Sequence, residues 1–123
     1  MGIGVDIIEI ERIDRMLKKY PNFRSKIFSG RDIAYCEQKK YPAPHYAARF
    51  AAKESIMKAL GTGWVEPIRW KDLEIVEDPS GKPLVNLKGG ARLVGDKMGI
   101  KEIMVSLSHC KAYAVAIARL RGA

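Results

Sequence analysis

Apolar and polar positions alternate at the start of the chain and then change period. Ile3, Val5 and Ile7 recur every second residue, which predicts a short strand over residues 2–8. Ile8, Ile10, Ile13, Met16 and Leu17 then follow a helical period, with Arg12, Arg15, Lys18 and Lys19 between them. Tyr20-Pro21-Asn22 ends that helix, because proline cannot continue it. Ser29 is suited to cap a helix over residues 30–40, with Asp32 in the first turn favouring its dipole. A further helix begins around Pro42 and Pro44, where proline fits a first turn, and runs to about Leu60. Gly61 is its expected left-handed terminator. The small residues Ala47, Ala48, Ala51, Ala52, Ser55 and Ala59 would let another backbone come close to it.

The second half reads mainly as strands. Leu73 to Glu77 and Leu84 to Leu87 flank Asp78-Pro79-Ser80-Gly81-Lys82-Pro83, which predicts a hairpin. Residues 90–98 follow as a short helix. Ile103 to Leu107 and Ala112 to Leu120 are apolar runs around Ser108-His109-Cys110-Lys111, a second hairpin. This mixture predicts the α+β class, as one domain over residues 1–123 without repeats, linkers or low-complexity tracts.

Charge narrows the classes of partner. The 123 residues carry 22 Lys and Arg against 14 Asp and Glu, a net charge of +8. That favours nucleic acid, a phosphorylated ligand, an acidic protein or an anionic membrane surface. Residues 12–40 alone hold nine cations and three acids, a net +6, interspersed with Met16, Leu17, Phe23 and Ile27. The stretch is either a solvated basic face or a docking face with apolar anchors inside a basic rim. No zinc finger, RNA-recognition aromatic motif or helix-turn-helix accompanies it. Cys36 and Cys110 have no metal-ligand spacing, and a reducing, cytoplasmic setting is expected. Asp6 disrupts both a signal-peptide reading and a myristoylation motif, and no apolar run approaches roughly 18 residues.

Three segments carry candidate chemistry. Asp6 interrupts an apolar strand; it either caps the next helix or is a metal ligand. In the helix ending at Leu60, Arg49 and Lys53 are four residues apart, as are Glu54 and Lys58. Such pairs are ordinary on a solvated face, but this helix is otherwise small or apolar, and charges on a buried helix tend to line a site. Gly61-Thr62-Gly63 lacks the spacing of a Walker loop yet could offer backbone N–H groups to a phosphate. His109 ends an apolar strand; neither a zinc motif nor a nucleophile elbow surrounds it.

Taken together, Gly2-Ile3-Gly4-Val5-Asp6-Ile7-Ile8-Glu9-Ile10, Arg49-Phe50-Ala51-Ala52-Lys53-Glu54-Ser55-Ile56-Met57-Lys58-Ala59 and Ser106-Leu107-Ser108-His109 resemble the holo-acyl-carrier-protein synthases. These are the small bacterial type of 4′-phosphopantetheinyl transferase, and the resemblance spans essentially the whole chain. It implies an antiparallel sheet packed against a long central helix. It implies transfer of phosphopantetheine from coenzyme A to a serine of acyl carrier protein, in fatty acid biosynthesis, releasing adenosine 3′,5′-bisphosphate. Asp6 and Glu54 would hold Mg²⁺, or Mn²⁺ in its place, with Glu54 as candidate base and Lys58 steadying phosphate charge. Mg²⁺ suits such a site, since it takes one or two carboxylates and completes its shell with water and phosphate. Arg49, Lys58, Gly61, Thr62, Gly63 and His109 match positions lining the coenzyme site. Arg12, Met16, Lys19, Phe23 and Lys26 would meet the acidic carrier. The resemblance further implies a homotrimer with active sites between subunits, and neither nucleic acid nor membrane as partner. Cys110, where a hydroxyl residue is common, and Trp64 and Trp70, in a variable stretch, depart from the pattern. A basic binding module without catalysis, and a transferase acting on polyketide or nonribosomal carriers, are the competing readings.

Overall fold

The computed structural model describes residues 1–122. Strand β1 (Gly2–Glu9) leads directly into helix α1 (Ile10–Lys19), followed by the short α2 (Phe23–Ile27) and by α3 (Gly30–Glu37). The long α4 (Pro42–Leu60) comes next, then a 3-10 turn at Trp70–Asp72 and the hairpin of β2 (Leu73–Glu77) and β3 (Pro83–Leu87). Helix α5 (Gly89–Lys97) precedes a second hairpin, β4 (Ile100–His109) and β5 (Tyr113–Gly122). The larger sheet has the order β1-β5-β4, antiparallel throughout, and β2-β3 form a separate pair. The α+β class and both hairpins agree with the sequence reading.

Helix α4 packs across β1 and β5 of the three-stranded sheet. It is apolar or small on nearly every side, with Tyr46, Ala47, Ala51, Ala52 and Ile56 fully buried. The stripe of small residues receives strand β1 of the same chain: a β-carbon at Gly2 would meet the carbonyl of Ala59, and one at Gly4 the carbonyl of Ser55. The stripe is therefore used within the chain and offers no surface to another subunit. Gly61 ends α4 in the left-handed region, with φ 76°, as expected.

Local details differ from the sequence reading. Ile8 belongs to β1, and α1 begins at Ile10 after Glu9, with no side chain capping it. Asp6 is thus not a helix cap. Helix α3 stops at Glu37 rather than residue 40, although Ser29 and Asp32 form the full capping box. Helix α2 and the 3-10 turn have too few residues for a period to announce them.

Asp32 also anchors α3 to α4 and β2. Its carboxylate meets Lys53 Nζ at 2.9 Å and accepts the Ile75 N–H at 3.1 Å. Lys53 donates further to the carbonyls of Trp70 (3.0 Å) and Leu73 (2.7 Å). Burial lowers the Lys53 pKa while Asp32 holds it up. Removing one partner from such a buried pair costs about 3–5 kcal/mol. Among the described residues, no helix is long and apolar enough to cross a membrane.

Candidate active site

Strand alternation turns Gly2, Gly4, Asp6 and Ile8 toward α4 and leaves Ile3, Val5 and Ile7 exposed. Because the two glycines let β1 lie directly on α4, Asp6 arrives beside the last turns of that helix. Lys58 Nζ donates to Asp6 Oδ1 and to the Val5 carbonyl, both at 3.0 Å. Glu54 lies one turn before Lys58. Burial, and then the charge of Asp6, raise the Glu54 pKa; Trp64 and Lys58 pull it back. The buried Trp64 indole N–H lies close enough to favour the Glu54 carboxylate without reaching full hydrogen-bond geometry. A carboxylate whose ionisation is opposed by burial and by a neighbouring carboxylate, with a lysine at the edge, makes a site suited to a cation.

Among the described residues no group of three or more His, Cys, Asp or Glu forms a metal cluster. Asp6 and Glu54 remain as a pair of hard oxygen donors. That fits Mg²⁺, which needs few protein carboxylates when phosphates and water fill its shell.

The other expected coenzyme residues lie elsewhere. Arg49 points from a different side of α4, as does Lys53, which is not among them and is spent on Asp32. Arg49 reaches a cleft of about 240 Å³ with Tyr35, His45, Glu77, Ser108 and His109 in its wall. Its guanidinium stacks on Tyr35 at 3.7 Å, and its Nη2 donates to Glu77 Oε1 at 2.7 Å. His109 stands at the cleft edge, its ring 5.3 Å from that of His45. Burial, then His109, Lys39 and Arg49, lower the His45 pKa. Gly61, Thr62 and Gly63 are exposed beyond the end of α4, with Gly63 at φ 70°. One chain therefore holds Asp6, Glu54 and Lys58 at the β1–α4 seam and Arg49 with His109 in the cleft, while Gly61, Thr62 and Gly63 stand apart from the cleft beyond the end of α4.

Sequence reasoning missed Tyr35, His45 and Glu77. Nothing in the chain pattern marks them, since α3, α4 and β2, which carry them, meet only in the folded molecule. The expected docking residues do share one region. Arg12, Lys19 and Lys26 are exposed, and Met16 and Phe23 are half-buried. Phe23 packs on Phe28 and Phe50, and Phe50 stacks on Trp70, which stacks on Trp64. An aromatic row thus links this face to the cover over Glu54.

The profile of the 4′-phosphopantetheinyl transferase superfamily matches residues 2–118. A holo-[acyl-carrier-protein] synthase of Syntrophus aciditrophicus is 45% identical over 122 residues, covering 98% of this chain and 95% of the relative. One from Moorella thermoacetica is 46% identical, covering 94% of this chain and 89% of the relative. The crystal structure of the Neisseria meningitidis holo-[acyl-carrier-protein] synthase superposes with TM-score 0.90 at 30% identity, covering 98% of this chain and 97% of that one. The Helicobacter pylori enzyme, solved in complex with coenzyme A, superposes with TM-score 0.85 at 29% identity, covering 97% and 99%. With the fold, the order of the motifs and near full-length coverage in agreement, the chain belongs to the holo-[acyl-carrier-protein] synthase family of the 4′-phosphopantetheinyl transferase superfamily.

Proposed function

We propose that the chain transfers 4′-phosphopantetheine from coenzyme A to a serine of apo acyl carrier protein, serving fatty acid biosynthesis, with Mg²⁺ held by Asp6 and Glu54. The observation that carries the metal assignment is the seam itself, where Gly4 brings β1 onto α4 and Asp6 beside Glu54 and Lys58. The ion, when bound, neutralises charge on the coenzyme pyrophosphate and favours its cleavage. Lys58 is placed to turn from Asp6 toward a phosphate oxygen as a point cation. The serine oxygen forms the new bond to phosphorus, and the bond to adenosine 3′,5′-bisphosphate breaks. The serine proton passes to Glu54, directly or through water.

We also read the assembly as a homotrimer with sites between subunits. Ile3, Val5, Ile7 and Ile117 leave an apolar outer sheet face exposed by 42–66% per residue. An exposed apolar face of this kind fits association better than solvent. A neighbouring chain would also supply what one chain separates, bringing an Arg49–His109 cleft to an Asp6–Glu54 seam. The basic α1–α2 face suits an acidic carrier.

The test is to incubate the protein with apo carrier, coenzyme A and Mg²⁺ and weigh the carrier by mass spectrometry. Expected is one phosphopantetheine added per carrier, at a rate at least about tenfold lower in Asp6→Asn or Glu54→Gln. Full activity in EDTA overturns the metal assignment. Modification of polyketide or nonribosomal carriers in preference to the fatty-acid carrier overturns the assigned pathway.

A further inference from the structure

Arg49 is buried to 4% exposure and has no freedom to turn, since Tyr35 lies under its guanidinium and Asp32 lies 3.7 Å from its Nε. That Nε has no hydrogen-bond partner. Glu77 differs. It is the last residue of β2, beside the turn that begins at Asp78, and its side chain is 27% exposed. Of the two ion-pair partners, only the carboxylate has somewhere to go. The local charge balance gives it a use. Asp32 and Glu77 oppose Arg49 and Lys53, so the four buried or half-buried charges sum to zero. An incoming phosphate gains full benefit from Arg49 only when Glu77 lets go.

We propose that Glu77 is an affinity-setting residue that competes with the coenzyme's phosphate for Arg49 and so weakens binding of coenzyme and bisphosphate product alike. This rests on the reading of the Arg49–His109 cleft as part of the coenzyme site. Arginine grips phosphate through a two-pronged, charge-assisted contact, so a preset guanidinium without an opposing carboxylate would hold the product tightly. Release of product limits turnover in many enzymes, and a built-in competitor speeds it. The competitor acts on ground-state affinity and leaves the reacting atoms untouched.

The test is calorimetric titration of the Mg²⁺-loaded protein with adenosine 3′,5′-bisphosphate, comparing wild type with Glu77→Gln, Glu77→Ala and His109→Gln. Both Glu77 variants are expected to bind about three- to tenfold more tightly, with steeper loss of affinity on adding salt. In turnover, KM for coenzyme A should fall and kcat should fall with it, a split that loss of structural support would not produce. Unchanged or weaker binding in both Glu77 variants overturns the proposal. If that occurs while His109→Gln weakens binding, the cleft is still the coenzyme site and Glu77 merely orients Arg49. If His109→Gln is also without effect, the reading of the cleft fails together with the proposal.

Discussion

Gly4 meets Ser55 backbone to backbone, and any β-carbon at Gly4 would overlap the Ser55 carbonyl oxygen. Two residues further on, Asp6 takes its place by Lys58. Gly4→Ala is expected to lift β1 from α4, costing about 1–3 kcal/mol as overpacking does. It should also slow transfer at least about tenfold by parting Asp6 from Glu54. Urea unfolding and initial rates measure the two effects. A destabilised variant with wild-type turnover would show that close approach of the strand is dispensable for the site.

Glu54 makes the opposite trade. Burial and Asp6 raise its pKa, so the folded chain holds the Glu54 proton more firmly than the unfolded chain does. Its contribution is fully favourable below the ordinary value of 4.5 and is lost as pH rises through the raised value. At pH 7.5 in chelator, Glu54→Gln should therefore melt about 1–3 °C higher than wild type, a modest gain because water still screens the site. The gap should close on acidification. Added Mg²⁺ should raise the wild-type melting temperature and leave the variant nearly unmoved. Scanning calorimetry at several pH values decides it, and equal Mg²⁺ stabilisation of both proteins would remove Glu54 from the ligand set.

The long helix and both hairpins were legible because each carries a complete local signal: proline first and glycine last for α4, a turn cluster between apolar runs for each hairpin. Asp6, Glu54 and Lys58 stood out as charges inside apolar or small-residue segments, and the fold brings Asp6 and Lys58 into contact. Other features depend on contacts between distant segments and could not be read. Glu77 looked like an ordinary strand end until it met Arg49, 28 residues earlier. Lys53 has the same helical spacing to Arg49 as Lys58 to Glu54, yet it fastens α4 to Asp32 and to the Trp70–Leu73 backbone. Spacing shows which charges share a helix face and is silent on what that face meets. The glycines of β1 were part of a motif before they had a reason; the reason is the helix beneath them.

If the carrier docks on α1 and α2 as proposed, its binding should depend on ionic strength. Arg12, Lys19 and Lys26 are exposed around half-buried Met16 and Phe23. Raising salt from about 50 to 300 mM should increase KM for the carrier severalfold and change KM for coenzyme A less. Arg12→Glu should reproduce the carrier effect at low salt. Steady-state kinetics with each substrate varied separately measures both, and a carrier KM untouched by charge reversal would move the docking face elsewhere.

The proposed trimer should come apart when the outer sheet face is charged. Val5 and Ile117 are paired neighbours in the β1–β5 register, exposed by 56% and 42%. Ile117→Lys places a charge in the middle of that face, opposite the buried side of the sheet. Sedimentation velocity should show the wild type as a trimer and the variant as a monomer, with transfer at least about tenfold slower and the circular dichroism spectrum preserved. A fully active monomer would place every catalytic group within one chain.

The position of β1 at the sheet edge has a consequence during synthesis. Among the described residues its one strand partner is β5, in a register that sets Gly2 opposite Leu120 and Glu9 opposite Tyr113. On the ribosome, the residues that carry Asp6 emerge long before their partner strand does. Contacts of such long sequence separation form late and slowly. The nascent chain meanwhile exposes an unpaired strand bearing Ile3, Val5 and Ile7, the kind of edge that chaperones shield and that neighbouring nascent chains can capture. The strand that carries Asp6 thus gains its hydrogen-bonded neighbour only after β5 has been made, so closure of the sheet beneath the seam is among the last steps of folding.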